Sequence, residues 1–400
     1  MKYIIALVLI VVTLFSKESS DGFYKLKSIV TQQSECMSGR ENRLCLNKKF
    51  TYPKSDILND DIANGLDIYI QKLKSEFQKE SLESYEITVD DIDTFGVSEY
   101  LIESRLKLFD YNRPILTLQS YSYAYTGGAH GNYNIEYINY DVEAKKEYSL
   151  EDLVDFNNSK FLHIAKIEYK KSEALLPDES LQNAGWFEDR FQLTTNFAVT
   201  KSGLLFSYAP YEIKSFASGI TTFLLTYDKF LSFIKPNTPL VKVAQEYKRD
   251  RSKKIVSKLE NGGKIEITIT DNGNSYFLKA TVESYGKNPK TWLSLSFPQL
   301  DRDHLKKLSS YGVNTFKIYP KGSRIYNKKR KSVMRANYPL VEATRKNGEY
   351  SISLKIRKDR YIPYSCVNYR VTTRSSNLLK DRFDFSFEDQ QGFIVKRVCF

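Results

Sequence analysis

The sequence predicts an α+β domain, in which helices pack on an antiparallel sheet, followed by a β-rich domain. Apolar residues at helical spacing recur in the first 235 residues, whereas short alternating segments dominate residues 256–400. The 29 tyrosines and 24 phenylalanines favour strands with amphipathic faces. The two parts also differ in net charge. Residues 241–400 are basic, with 34 Lys and Arg against 15 Asp and Glu, whereas the first 240 residues are acidic, with 26 Lys and Arg against 33 Asp and Glu. We therefore predict domains at residues 21–235 and 256–400, joined by a linker at 236–255.

Residues 1–20 have the pattern of an export signal. A short positive lead, Met1 to Tyr3, precedes an unbroken apolar run from Ile4 to Phe15. This run falls short of the ~20 residues that span a bilayer. No Ala-x-Ala motif precedes Lys17, so two outcomes stay open: weak cleavage near residues 16–20, or retention as a membrane anchor. Either outcome predicts a periplasmic or extracellular protein.

In the predicted first domain, a short strand or edge segment at residues 50–53 precedes a helix over residues 56–80, capped by Asn59 or Asp60. Its apolar residues recur at three- and four-residue steps and predict a core-facing stripe. Ser149 to Asp152 has capping-box spacing and predicts a short helix at 150–156. Further helices are expected at 161–175 and 228–234. Strands are expected at 84–97, 99–111, 116–123, 133–140, 191–199, 204–208 and 219–227.

A glycine-rich loop lies between two tyrosine-rich strands. It contains Gly127, Gly128 and Gly131, which can take backbone angles that side chains forbid, and it presents His130. The candidate binding residues are Tyr125, Thr126, Gly127, Gly128 and His130. Three interpretations of His130 remain: it holds the turn by a hydrogen bond, it contacts a partner, or it acts in acid–base chemistry with a second group.

Alternating segments in the second domain predict a β-sandwich. Asn272-Gly273 lies between segments 264–270 and 276–282 and predicts a hairpin, since Asn-Gly suits the primed turns. Short strands at this spacing are typical of a sandwich of about seven strands. Residues 301–310 are the exception, with a helical pattern. Further strands are expected at 291–297, 313–319, 340–343, 350–356, 368–373 and 383–387.

Four cysteines form two sequence-local pairs, Cys36 with Cys45 and Cys366 with Cys399. Four cysteines allow three connectivities, of which the local one keeps each bond within one predicted domain. The spacing lacks a Cys-x-x-Cys zinc signature. An exported protein meets an oxidising compartment, so we expect disulfides rather than free thiols or a metal site.

The densest basic patch runs from Lys321 to Lys331 with Tyr326 interleaved. It fits a site for an anionic membrane or wall surface, and equally a solvated loop. Export makes nucleic acid an unexpected partner. The candidate residues are Lys321, Arg324, Lys328, Lys329, Arg330 and Lys331.

The loop Tyr125–Gly131, together with Tyr148-Ser-Leu-Glu-Asp-Leu153, resembles the extracellular domain of RsiV-like anti-sigma factors and PdaC-like envelope proteins. Matching blocks follow at 203–208, 210–213 and 217–220, so the resemblance spans roughly residues 50–234. In this family, RsiV senses lysozyme through this domain, and PdaC-like proteins are peptidoglycan deacetylases. The deacetylase chemistry lies in a separate domain with a metal-binding Asp and a close histidine pair, and this chain has no such pair. The resemblance therefore implies a binding module.

We expect a non-enzymatic cell-envelope protein that recognises a protein, such as a lysozyme, or a wall glycan. Lysozymes are often basic, and the first domain is acidic. The alternative is an enzyme that acts on wall glycan with His130 as acid or base. The sequence contains no nucleophile elbow, zinc-protease helix or phosphate-binding loop, and three scattered histidines disfavour a metal site. No cofactor is expected.

Overall fold

The structure is a computed structural model in which the chain divides into two compact units. Unit 1 comprises residues 1–168 and 185–248, and unit 2 comprises 169–184 and 249–400. Nothing in the sequence patterns signals that residues 169–184 join unit 2. The structure describes residues 26–55, 58–95, 99–249, 251–259, 263–284, 291–300, 304–327, 332–336, 338–345, 348–358, 364–372 and 393–400. The predicted export signal and the strand expected at 383–387 lie outside the described residues.

Unit 1 is built on a sheet with the strand order β1-β2-β3-β4-β5-β6. Neighbouring strands are antiparallel except β2 and β3, which are parallel because the chain crosses over between them through a helical segment. The expected α+β class is confirmed, with this one parallel pair as a correction to a purely antiparallel sheet. The strands are β1 Ser28–Ser38, β2 Arg43–Pro53, β3 Glu99–Asn112, β4 Ile115–Tyr125, β5 Asn132–Asp141 and β6 Lys146–Glu147.

Helix α1, Asp60–Lys79, packs on one face of this sheet. The Asn59 side chain accepts a hydrogen bond from the Ile62 backbone at 3.0 Å and caps the helix, as the sequence predicts. The predicted apolar stripe is buried against strand residues such as Phe50 and Leu116. This core fixes which face of β3, β4 and β5 is available to other elements.

The opposite sheet face is partly covered by strands β7 Phe197–Thr200, β8 Gly203–Tyr208 and β9 Thr221–Thr226. Asn139 in β5 anchors them, because its amide donates to the Phe197 carbonyl at 2.8 Å and accepts from the Val199 backbone at 2.8 Å. Thr117 hydrogen-bonds to Asn139 and to the Val199 carbonyl. These bonds satisfy buried polar atoms and place β7 beside the tyrosine-bearing ends of β4 and β5.

The prediction of a strand at residues 84–97 is wrong. The chain forms a 3-10 turn at Leu82–Tyr85 and helix α2 at Val89–Phe95. Thr88 and Asp91 cap this helix, since the Asp91 carboxylate accepts from the Thr88 backbone and the Thr88 hydroxyl accepts from the Asp91 backbone. The cap overrides the alternation of Tyr85 and Ile87.

Three further helices, at Leu150–Leu153, Ser159–Ser172 and Tyr227–Phe230, lie close to their predicted positions, and a fourth was not predicted. Ser149 and Asp152 form a capping box at the start of α3, as expected. Helix α6 lies within residues 236–255, the segment predicted as a linker. The helices are α3 Leu150–Leu153, α4 Ser159–Ser172, α5 Tyr227–Phe230 and α6 Pro239–Glu246, with 3-10 turns at Leu181–Ala184, Phe216–Ser218 and Leu231–Phe233.

Unit 2 is a sandwich of two sheets that share one apolar core. The first sheet has the order β10-β11-β12-β19-β14, the second has β15-β18-β13-β20-β21, and β16 pairs with β17 as a separate hairpin. The β-rich class of this region is confirmed. The strands are β10 Ser252–Lys258, β11 Lys264–Asp271, β12 Ser275–Glu283, β13 Thr291–Ser296, β14 Leu305–Tyr311, β15 Thr315–Tyr319, β16 Arg324–Asn327, β17 Ser332–Arg335, β18 Leu340–Arg345, β19 Tyr350–Arg357, β20 Cys366–Thr372 and β21 Phe393–Cys399.

The prediction of a helix at residues 301–310 is wrong for the part of that range that the structure describes. Residues Leu305–Tyr311 form β14 at the edge of the first sheet. Leu305 and Leu308 have helical spacing, but a bulge between Lys307 and Ser309 interrupts their register with β19. Pairing with β19 gives this polar segment backbone hydrogen bonds that its local pattern does not predict.

The structure contains the two expected disulfides. Cys36 pairs with Cys45 across β1 and β2, and Cys366 pairs with Cys399 across β20 and β21. Within unit 2, the Leu175 carbonyl accepts a hydrogen bond from the Tyr364 hydroxyl at 2.6 Å. Residues 169–184 are thereby attached beside the second disulfide. In the described part of the chain, no helix is long and apolar enough to cross a bilayer.

Candidate functional site

The glycine-rich loop connects β4 and β5 and has a defined conformation. Gly127 and Gly128 have φ angles of 94° and 93°, a region that disfavours residues with side chains. The Tyr125 hydroxyl donates to the Gly128 carbonyl at 3.1 Å. His130 Nδ1 lies 3.0 Å from the Gly131 carbonyl. The loop therefore presents His130 from a turn that its own hydrogen bonds hold.

His130 stacks on Phe216, which lies in the loop between β8 and β9. Their ring centroids are 4.1 Å apart and the ring planes differ by 19°. Phe216 also contacts Tyr133 edge-on at 5.6 Å and Tyr211 at 5.6 Å. Aromatic pairs at these separations add stability beyond simple burial. The stack joins the two loops that carry the family-like motifs.

Three strand tyrosines extend this cluster along the sheet. Tyr121 and Tyr123 lie two positions apart in β4 and therefore share one face of the strand. Tyr133 in β5 is the cross-strand neighbour of Tyr123. A Cβ atom at Gly131 would lie 2.4 Å from the Tyr123 ring, so only glycine fits beneath that ring. We call the whole set the aromatic surface: Tyr121, Tyr123, His130, Tyr133, Tyr211 and Phe216.

Tyr211 is the most unusual member of the aromatic surface. Its φ of 68° is rare for a bulky residue, and 53% of its surface is exposed. The turn holds it there, because the Tyr211 backbone donates to the Lys214 carbonyl at 3.0 Å and the Glu212 carboxylate accepts from the Ala209 backbone at 2.8 Å. An exposed aromatic ring in a strained backbone is typical of a functional position.

Charged groups border the aromatic surface on one side. The Arg105 guanidinium lies 5.0 Å from the Tyr121 ring centroid and 2.7 Å from the Glu103 carboxylate. Burial raises the pKa of Tyr121, so this hydroxyl is protonated and able to donate near neutral pH. Among the described residues, no carboxylate hydrogen-bonds to His130. The described contacts of His130 are thus with the Phe216 ring and the Gly131 carbonyl.

The structure brings together only some of the residues singled out from the sequence. Tyr125, Thr126, Gly127, Gly128 and His130 share the β4–β5 loop and its flank. Phe216 and Tyr211 join them through the fold, and no local sequence pattern marks that contact. The alternation of Tyr121, Tyr123 and Tyr125 was a usable signal, because residues two apart in a strand share a face.

The predicted basic patch is described only in part. Lys321 and Arg324 are exposed at the start of the β16–β17 hairpin. Lys328, Lys329, Arg330 and Lys331 lie outside the described residues. The patch therefore stays a prediction.

Two family models match parts of the chain that lie mostly in unit 1, and the second match also includes residues 169–184 of unit 2. Residues 40–133 match the family described as deacetylase PdaC, and residues 145–228 match the family of proteins of unknown function DUF3298. The first match contains the glycine-rich loop up to Tyr133, and the second contains Tyr211 and Phe216. These matches confirm the PdaC-like resemblance, and they leave the C-terminal part of the chain unassigned. No curated protein matches the chain.

Solved structures similar to the chain include two DUF3298 family members. One, from Bacteroides fragilis, is 19% identical, with 55% of this chain and 97% of that chain covered and a TM-score of 0.45. The other, from Pseudomonas aeruginosa, is 23% identical, with 53% and 95% covered and a TM-score of 0.39.

Proposed function

We propose that unit 1, which contains the PdaC match and most of the DUF3298 match, is the recognition module of an exported cell-envelope protein. The aromatic surface is its binding site, and the partner is a protein, such as a lysozyme, or a wall glycan. The His130–Phe216 stack at 4.1 Å carries this proposal, because it joins the two motif loops into one exposed surface. Both loops have a defined conformation before any partner binds, which lowers the entropic cost of association.

The chemistry of the aromatic surface supports a binding role. Tyrosine and arginine are enriched at the residues that dominate binding energy in protein interfaces. Tyrosine rings also pack on the apolar faces of sugars while their hydroxyls hydrogen-bond. The acidic excess in the first 240 residues favours a basic protein over an acidic one. The two disulfides are consistent with the oxidising compartment in which such a partner is found.

Titration calorimetry with a lysozyme and with soluble peptidoglycan fragments tests this proposal. We expect heat with one of the two ligands, and dissociation constants raised about thirtyfold by Tyr211→Ala or Phe216→Ala, the loss typical of an interface hot spot. Matched controls are Ile68→Ala and Leu231→Ala, which remove exposed apolar side chains elsewhere in unit 1. Absence of heat with both ligands, or equal loss in the controls, contradicts the proposal.

The alternative is an enzyme that acts on cell-wall glycan with His130 as acid or base. It needs a second catalytic group, and the polar contact of His130 is with the Gly131 carbonyl. His130→Ala distinguishes the two functions. A binding role predicts weaker binding and no change in released sugar products, whereas the enzyme predicts release by the unmodified chain and its loss in the variant.

A further inference from the structure

The outer face of the first sheet of unit 2 carries a cluster of exposed cations. Lys279 lies on β12, Lys355 and Arg357 on β19, and Lys306 on the edge strand β14. The register places all four on the face opposite the apolar core, whose side chains alternate with them. We call these four residues the basic sheet face.

Lys306 and Lys355 are direct cross-strand partners in the register. Like charges at directly opposed positions destabilise a sheet, since the two Cβ atoms lie only about 5 Å apart. Lys279 is the diagonal neighbour of Lys355, about 7 Å away between Cβ atoms. The fold therefore concentrates positive charge on adjacent strands at a cost to its own stability.

The acidic residues of this sheet face lie near other lysines. Glu266 pairs with Lys254 at 2.9 Å, and Glu283 pairs with Lys264 at 3.0 Å, both on the β10–β11 side. In the part of the chain that the structure describes, none of the four residues of the basic sheet face has a carboxylate within 4 Å. Their charge is thus available to an external anion.

The surroundings of the four cations indicate what kind of anion fits. Ser353 lies directly opposite Lys279, Thr268 is opposite it on the other side, and the Phe277 ring lies 5.9 Å from the Lys355 ammonium. Ammonium groups that alternate with short hydroxyl side chains and one aromatic ring match a chain that bears both acidic groups and sugar hydroxyls. Long lysine side chains would keep a lipid bilayer at a distance from the sheet, so the short hydroxyl side chains would make no contact with it.

We propose that the basic sheet face binds a linear anionic polysaccharide. The site lies in unit 2, is separate from the aromatic surface of unit 1, and differs from the basic patch predicted at residues 321–331. Charge complementarity supplies the attraction, and the rigid sheet holds the cations at fixed spacing across neighbouring strands. The anionic groups of the polymer would relieve the repulsion between Lys306 and Lys355.

The test measures binding of the full chain to fluorescent heparin, a linear anionic polysaccharide, at salt concentrations from about 50 to 300 mM. We expect affinity that falls with salt, and at least tenfold weaker binding in the triple variant K279Q/K306Q/K355Q. The matched control K258Q/K317Q/K396Q removes equal charge from exposed lysines of unit 2 outside both the basic sheet face and the predicted basic patch, and it should change affinity less than twofold. Neutral dextran should not compete.

A second measurement excludes a folding artefact. Because Lys306 and Lys355 repel each other, K306Q should leave the thermal midpoint unchanged or raise it while it weakens heparin binding. Absence of heparin binding at low salt, equal loss in the control variant, or a lower midpoint that accounts for the lost binding would overturn the proposal. Capture by vesicles with about 30% phosphatidylglycerol in the absence of heparin binding would also overturn it and assign the face to a membrane.

Discussion

Asp93 illustrates how a single side chain determines local structure in unit 1. Its carboxylate accepts hydrogen bonds from the Arg40, Glu41 and Asn42 backbones at 2.8, 3.1 and 3.0 Å, in the turn between β1 and β2. A Cβ atom at Gly39 would lie 2.4 Å from this carboxylate, so the turn approaches it closely. Backbone hydrogen bonds from Arg40 and Glu41 lower the pKa of Asp93.

We expect Asp93→Asn to lower the thermal midpoint at neutral pH, because the amide replaces a charged acceptor. A carboxylate with a lowered folded pKa stabilises the fold above its unfolded pKa of about 4, and the stabilisation is lost as the pH falls through the folded pKa. The difference between the two proteins should therefore narrow in acid, as measured by thermal unfolding across that range. Asp90→Asn is the control, since its ion pair with Arg40 is exposed. A difference independent of pH would contradict this account.

At the scale of elements, the two disulfides cross-link the same kind of structure with different loop lengths. Each joins directly opposed residues of antiparallel neighbours, and the sequence separations of the cysteines are 9 and 33. The chain-entropy treatment assigns more stabilisation to the longer loop. The two tryptophans provide separate readouts, because Trp186 lies in unit 1 and Trp292 in unit 2.

We predict that C366S/C399S lowers the free energy of unfolding by about 3.8 kcal/mol and C36S/C45S by about 2.7 kcal/mol. Trp186→Phe leaves Trp292 to report on unit 2, and Trp292→Phe leaves Trp186 to report on unit 1. Urea unfolding followed by tryptophan fluorescence in these single-tryptophan variants measures the loss in free energy of unfolding for each disulfide. A larger loss in free energy of unfolding for C36S/C45S than for C366S/C399S would contradict the prediction. It would show that contacts near the disulfides determine their stabilisation more than chain entropy does.

At the scale of the whole molecule, residues 169–184 are part of unit 2 although the flanking sequence belongs to unit 1. Glu179 supports this assignment, since its carboxylate receives two bonds from Arg397 at 2.7 and 2.8 Å. The same guanidinium donates to Asn368 in β20 at 2.9 Å. Glu179 and Arg397 line an open cavity of about 480 Å³ within unit 2.

Glu179→Ala should therefore destabilise unit 2 by about 2 kcal/mol, because a partly buried guanidinium loses its charged acceptor. The free energy of unfolding of unit 1 should change much less. Urea unfolding monitored by Trp292 and by Trp186 separates the two effects, and Glu188→Ala, at an exposed position in unit 1, serves as the control. An equal shift in both tryptophan signals would contradict the assignment of Glu179 to unit 2.

Features that depend on neighbouring residues were predictable from the sequence. The Asn59 cap, the Ser149–Asp152 capping box and the Asn272-Gly273 hairpin follow from rules that operate within a few positions. The contact of His130 with Phe216 was not predictable, because it depends on how β7, β8 and β9 pack beside β5. The edge strand β14 was missed for a related reason, since its hydrogen-bond partner β19 lies far along the chain.

The position of residues 169–184 has a consequence for the order in which the chain folds. This segment is synthesised more than 200 residues before Arg397, its charged partner in unit 2. At about 5–20 residues per second, it waits on the order of ten seconds or more for that partner. Unit 2 therefore becomes complete only after its strand β21 has been synthesised.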